Sequence, residues 1–443
     1  MNDNQAETNS DSRSNSVNGT KISDIVTTNE KSLESNNIID GPPKDQGYAW
    51  VIMAVSVINT LFSFGSTNAF GVFQAYYLKV MFVDEPADNI AWISTVCITC
   101  TLCGGLLAGP IIRTLGLRNS SLLGTLVASI GLLLASFATK IWHLVLTQGV
   151  IFGLGSSIIV NISLTAPSLW FDKYRNVAIG TVATGGSMGS LVLVPIVTKF
   201  ISVSTIGWAF RALCAIYFVC TGICGFFVRP RVEYKPSTKI IDLSLLKDPA
   251  AIMIFLVGMF MQIGFNVVIL YFPSNLIDIG TAQATASNLI MVFASFSLVS
   301  RITLGYFSKT LGEINIPLVF HFITAILLLA MWYLTSKFSV LLGFYILFGV
   351  FGVSFFSLGP VIVAKYYPED RVAQMNGLSY LLMGLTIFAF VPSTGVVFEK
   401  IGQRTSYKQV ILIGGIAYFL SVIPLVILKI LVKRYNPNFK KDI

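Results

Sequence analysis

The sequence predicts an all-α polytopic membrane protein, with twelve transmembrane helices in two parallel six-helix halves. Three observations carry that expectation. Of the 443 residues, 54% are hydrophobic and 12% charged, and the mean hydropathy is +0.75, leaving too few polar groups to cover a water-facing surface. From Tyr48 onward, apolar stretches of about 20 residues recur, each long enough to cross a ~30 Å hydrocarbon core as a helix. An internal repeat then divides the chain. Gly109-Pro-Ile-Ile-Arg113-Thr-Leu-Gly116 matches Gly305-Tyr-Phe-Ser-Lys309-Thr-Leu-Gly312, and the same register pairs Phe152-Gly153 with Phe348-Gly349 and Arg175 with Arg371.

Taken in order, residues 1–44 are rich in Ser, Asn, Thr and Asp and hold no apolar run. They are expected to be a disordered cytoplasmic tail, with no basic-then-apolar leader, so that insertion starts at the first span. The twelve spans fall near 48–74, 90–112, 120–139, 141–166, 177–198 and 208–228, then 249–271, 283–306, 316–335, 340–363, 373–395 and 409–432. The gap near Lys140 suits a tight hairpin. Loops after the even-numbered spans, with the tail, hold about 17 Lys/Arg against about 7 in the others, which places both termini inside. The expected organisation is a tail (1–44), a first half (45–228), a cytoplasmic linker (229–248) containing Arg229, Arg231, Lys235, Lys239 and Lys247, a second half (249–432) and a short basic tail (433–443).

The net charge of +9 would suggest nucleic acid in a soluble protein, but here anionic headgroups of the bilayer are the expected partner. No G-x-x-x-x-G-K-[ST] loop and no H-E-x-x-H occurs, which excludes ATP-driven pumping by this chain alone and a helix-borne zinc protease. Cys97, Cys100 and Cys103 recur every three residues inside the second span without a His nearby, so they read as packing residues rather than ligands. Neither a cofactor nor a metal is expected, and the chain does not read as an enzyme.

Two motifs resemble a known family. Asp45-Gln-Gly-Tyr-Ala-Trp50 is similar to the conserved start of helix 1 in monocarboxylate-transporter-like members of the major facilitator superfamily, and Trp170-Phe-Asp-Lys173-Tyr-Arg175-Asn-Val-Ala-Ile-Gly180, continuing through Gly185 to Gly189, to the family's motif entering helix 5. Gln46, Trp170 and Tyr174 depart from the pattern. The likeness spans the chain from about Lys44 to Lys433 and is nearest to the fungal branch of monocarboxylate permease and riboflavin transporter homologues. It implies a midplane site between halves that rock in alternating access.

Arg301 is the charge that lies well inside a span, and such charges are functional by default. The resemblance implies that a helix 8 Arg binds a substrate carboxylate beside an Asp four residues earlier; here that position is Ser297. With no Asp or Glu inside any span as drawn, the nearest being Asp88, Asp172, Asp278 and Glu369, proton coupling is expected to be weak. Asn68 and Asn266, in corresponding helices, complete the expected substrate site. Gly109, Arg113, Gly116, Gly305, Lys309 and Gly312, with Lys173 and Arg175, are expected to latch the cytoplasmic side, glycines permitting tight turns and cations meeting helix C-terminal carbonyls; on this reading the two halves latch equivalently. His321 and Arg211 read as structural. The function expected is symport or uniport of a small monocarboxylate-like or riboflavin-like solute. The alternative is a nutrient sensor on a transporter scaffold, disfavoured by the short tail after span 12. The plasma membrane is the expected location, ahead of vacuole or endoplasmic reticulum, the latter suggested by Lys440-Lys441.

Overall fold

The computed structural model describes residues 42–85, 87–232, 243–403 and 405–435. Residues 1–41 of the expected tail, most of the linker and Lys440-Lys441 lie outside them, as do the side chains of Asp88 and Glu369. All the regular structure among the described residues is helical. The helices are α1 (Tyr48–Tyr76), α2 (Ala87–Cys103), α3 (Gly105–Ala135), α4 (Ile141–Trp170), α5 (Arg175–Val203), α6 (Ile206–Phe227), α7 (Pro249–Asp278), α8 (Gln283–Leu311), α9 (Asn315–Trp332), α10 (Phe338–Tyr366), α11 (Glu369–Lys400) and α12 (Lys408–Tyr435). Eleven described helices are long and apolar enough to cross a membrane, and the shorter Asn89–Cys103 is apolar as well.

The second and third spans differ from the expectation of two helices joined by a loop over 113–119. Helical backbone runs past Gly104 and breaks at Gly116 alone, where φ is 77° and ψ 165°. A left-handed residue costs an L-amino acid about 1 kcal/mol or more, and glycine nothing. Glycine packing shows that the chain reverses there. Methyl groups added at Gly149, Gly153 and Gly104 would meet Val96, Cys100 and Ser157 in parallel order along α2 and α4, whereas Gly131 meets Phe152 and Gly124 meets Gly155, in antiparallel order along α3 and α4. The repeat partner of Gly116, Gly312, ends α8 at φ 88°. Both repeated glycines are thus left-handed reversals.

Other boundaries follow from local chemistry. Asp248 caps α7, its carboxylate accepting the Ala250 N–H at 3.0 Å, with Pro249 at the first helical position where its missing N–H costs nothing. Wider π turns occupy 77–81, 145–151 and 328–332, features the apolar pattern does not encode.

One apolar cluster, centred on Phe62, Phe73, Phe152, Phe210 and Tyr217, fills the interior of α1 to α6. A larger one fills α7 to α12 around Phe272, Phe344, Tyr345 and Phe348, and draws in Leu102, Val160, Leu164, Ile179 and Val182 from α2, α4 and α5. Those last four belong to the parts of α4 and α5 that flank the 171–174 loop. The bundle is therefore packed shut at the end carrying that loop, Gly116 and Gly312, called the basic end below.

Candidate functional site at the α5–α8 seam

The basic end is organised by a residue upstream of α1. Asp45 adopts φ 62°, a conformation Asp tolerates better than most, and its carboxylate accepts the backbone N–H groups of Asp172 at 3.2 Å and of Lys173 and Tyr174 at 2.8 Å. Its own N–H donates to Trp170 O at 3.1 Å. Burial opposes ionisation of Asp45, but the three N–H donors and the charge of Lys309 outweigh it and hold the carboxyl below its ordinary range. Tyr48 Oη donates to Phe227 O at 2.6 Å and Trp170 Nε1 to Arg229 O at 2.8 Å. The two motifs read separately in the sequence thus form one knot, which sets the start of α5.

Along α5 the turn tightens at Thr184, whose N–H bonds Thr181 O rather than the residue before it. Gly185 and Gly189 press this stretch onto α1: a methyl at Gly189 would lie 2.5 Å from Gly65 Cα. Thr60 Oγ1 also donates to Val182 O at 2.8 Å. The segment presents the Ala183 carbonyl to α8, where Arg301 donates to it through one guanidinium nitrogen at 2.7 Å and through Nε to Ser297 Oγ at 3.2 Å. The guanidinium lies over the Phe356 ring, 5.4 Å from its centroid, and near Tyr380. Ser297 is fully buried and shares a 3.1 Å hydrogen bond with Ser187 of α5. Among the described residues no carboxylate faces Arg301. A partly buried cation is thus held by neutral dipoles and a ring face alone, leaving its charge uncompensated.

The gating residues separate into two groups. Gly305 packs against α5, where a methyl would come 2.9 Å from Asn176 O and 3.4 Å from Gly180 Cα. Asn176 Nδ2 donates to Ser308 Oγ at 3.0 Å. Arg175 spans the seam, donating to Phe171 O at 3.1 Å and to Ala364 O of α10 at 3.0 Å. Lys173 lies over the Tyr174 ring, and Lys309 reaches the basic end through its charge on Asp45. On the other side the packing differs from that at Gly305. A methyl at Gly109 would meet nothing within 4 Å, Arg113 is exposed, and the α2–α11 seam closes a turn away, where a methyl at Gly377 would sit 3.0 Å from Gly105 O. Among the described residues neither Arg113 nor Lys309 bonds a helix-terminal carbonyl, and Arg118 lies over Phe226.

Asn68 and Asn266 have separate hydrogen-bond partners. Asn68 is exposed and donates to Ser190 Oγ at 2.8 Å; Asn266 donates to Gln262 O at 2.7 Å, one turn back on its own helix. His321 pairs with Ser421 at 2.8 Å inside the second half. Arg211 is sandwiched by Phe137 and Trp208, and Cys103 Sγ points to Leu381 O at 3.5 Å.

Sequence reasoning missed three features. Glu313, 2% exposed, follows Gly312 and is paired with Lys365 at 2.9 Å and with Tyr366 Oη at 2.6 Å; its place in the repeated turn was the available signal. The Asp45 knot and the Phe356–Tyr380 surround of Arg301 join segments far apart in the chain, and no local pattern announces them.

The sequence profile of the Major Facilitator Superfamily matches residues 49–337 and 254–442. The chain is 28% identical over 399 residues to "MFS transporter asaE" of Aspergillus flavus, covering 88% of this chain and 90% of that one. It is 28% identical over 365 residues to the "Fujikurins efflux protein" of Gibberella fujikuroi, covering 81% and 78%. Among solved structures, the proton:xylose symporter XylE superposes with a TM-score of 0.73 at 13% identity, over 85% of this chain and 94% of that one. The human organic anion transporter MFSD10 (TETRAN) gives 0.68 at 13% identity, over 86% and 100%. These last two likenesses establish the fold alone.

Proposed function

The chain belongs to the Major Facilitator Superfamily, and from that premise we propose that this integral multi-pass membrane transporter exports a small organic anion by alternating access. The observation that carries the reading is Arg301, a charge at the seam that touches carbonyl, hydroxyl and ring but no carboxylate. An organic anion supplies what is missing. Arg binds a carboxylate through two parallel N–H···O bonds, so an arriving anion competes with the Ala183 carbonyl for the guanidinium. In the inward-open state the anion holds the guanidinium; its release outward lets the Ala183 bond and the Ser187–Ser297 contact form again and closes the α5–α8 seam.

Residues 45–228 and 249–432 act as the rocking halves. The basic end, rich in Lys and Arg, is the cytoplasmic face, and the arrangement described is the inward-closed one, with Gly305, Arg175, Gly312 and the Asp45 knot as its latch. Gly109 and Arg113 take no part in closing this state. Export rather than import is supported by relatives named as efflux proteins, and the plasma membrane is the site where export is productive. The monocarboxylate-like or riboflavin-like solute expected from sequence narrows to an anionic organic molecule.

Proteoliposomes loaded with organic acids, or with their methyl esters, test the reading. Arg301-dependent efflux of at least one acid, with ester efflux no faster than from protein-free liposomes, supports it; Arg301-dependent efflux of an ester equal to that of its acid overturns the anion requirement.

A further inference from the structure

Between α10 and α11 lies a narrow crevice of about 10 Å³, lined by Phe355, Phe356, Gly359, Asn376, Ser379 and Tyr380 among others, room for roughly one water. Asn376 is 2% exposed, and its Nδ2 has no hydrogen-bond partner among the described residues. A buried donor left unmet is destabilising, so a polar side chain here, where an isosteric Leu would pack without cost, needs an occupant that accepts its hydrogen bond. The same crevice is bounded by Phe356, whose ring carries the Arg301 guanidinium, and by Tyr380, which interacts with that charge. Arg301 lies ten residues from the end of α8 and Asn376 seven from the start of α11, so at 1.5 Å per residue Asn376 is about 5 Å nearer the basic end.

We infer that Asn376 forms a second substrate station, on the basic-end side of Arg301, which takes an acceptor oxygen borne on the far side of an aromatic acid. This rests on the anion reading of Arg301 and specifies the substrate class. The carboxylate engages Arg301, the ring lies along Phe356 and Tyr380, and a carbonyl or ether oxygen accepts from Asn376 Nδ2. In the inward-closed state the crevice is too narrow for a substrate group, and parting α10 from α11 widens it. A site built to hydrogen-bond an oxygen discriminates against an isostere lacking it more sharply than an apolar wall can.

The test uses 4-acetylbenzoate and 4-isopropenylbenzoate, both planar at the branching carbon and differing by an acceptor oxygen replaced with CH2, titrated against the purified full-length protein in detergent. Wild type should prefer the acetyl acid about tenfold. Asn376→Leu should erase the preference while keeping a melting temperature at or above wild type, since the unmet donor is gone; Asn376→Ser should fall between. Arg301→Gln should weaken both acids. If Asn376→Leu retains the wild-type preference, or wild type shows none, the second station is overturned while an Arg301 effect on both acids leaves the anion reading standing. If neither acid binds wild type, the aromatic-acid station is overturned, while the anion reading is judged by the efflux of other acids.

Discussion

The carboxylate of Asp45 accepts the backbone N–H of Tyr174 at 2.8 Å, across 129 residues of chain. Asp45 lies before the first helix and Tyr174 directly before α5, so the segment leading into α1 fixes where α5 begins, and α5 carries the Ala183 carbonyl that holds Arg301. The knot is therefore coupled to the seam through a single helix.

Asp45→Ala removes acceptors from three N–H groups at a helix start, a loss of about 0.5–2 kcal/mol for comparable caps. The expected result is a lower melting temperature and faster thiol labelling of a cysteine placed at Asn176, with Asp45→Asn intermediate. The pH sign follows from the shift. Because the folded carboxyl titrates below its ordinary value of 3.8, its contribution is complete above that value and is lost as pH falls through the lower folded value. Wild type and Asp45→Ala should converge in stability only in strongly acidic buffer, and convergence near neutrality would contradict the cap.

The two repeated loop glycines should respond differently. Gly305→Val drives a side chain into the Asn176 carbonyl and the Gly180 backbone, where no flexible group can yield, so transport should fall at least tenfold with the protein still in the membrane. Gly109→Val meets open space and should transport within about twofold of wild type, as surface substitutions do. Equal impairment by both would restore equivalent latches.

Glu313 and Lys365 form a pair whose carboxylate is buried and whose ammonium is partly exposed. Removing one partner of a buried pair costs about 3–5 kcal/mol, and the exposure of Lys365 puts Glu313→Gln at the low end, about 3. Detergent melting curves should show the loss, and the double variant Glu313→Leu with Lys365→Met should recover most of it. A double variant no better than Glu313→Gln would mean the pair does more than satisfy itself.

Ser297 stands one turn before Arg301, where a carboxylate would supply a titrating partner, and no described carboxylate reaches the guanidinium. Initial efflux should therefore change less than twofold when a one-unit pH step is imposed across the liposome. Several-fold stimulation that an uncoupler abolishes would establish proton coupling and contradict this.

Helix number and the repeat were legible because apolar length and glycine placement are local. Gly116 and Gly312, matched in sequence, are both left-handed reversals in the fold. Arg301 was legible because a charge in an apolar run is conspicuous. What escaped was relational. The Ala183 carbonyl exists in any sequence, and only the tightened turn at Thr184 aims it at Arg301; Asp45 reads as one more polar residue beside a polar tail until α5 is placed next to it. Equivalence of the two loops was read from residue identity, but latching depends on what each glycine faces, and Gly109 faces nothing.

Anion export turns on Arg301, and initial efflux of an organic acid from loaded proteoliposomes, at matched protein density, tests its role. Arg301→Lys keeps the charge but loses the planar fork that exchanges the Ala183 carbonyl for a carboxylate, and should lower the rate at least tenfold; Arg301→Gln should lower it further, leaving the ester controls unchanged. Wild-type efflux by Arg301→Gln would contradict the account and return Arg301 to a side chain whose charge merely reaches toward the membrane surface.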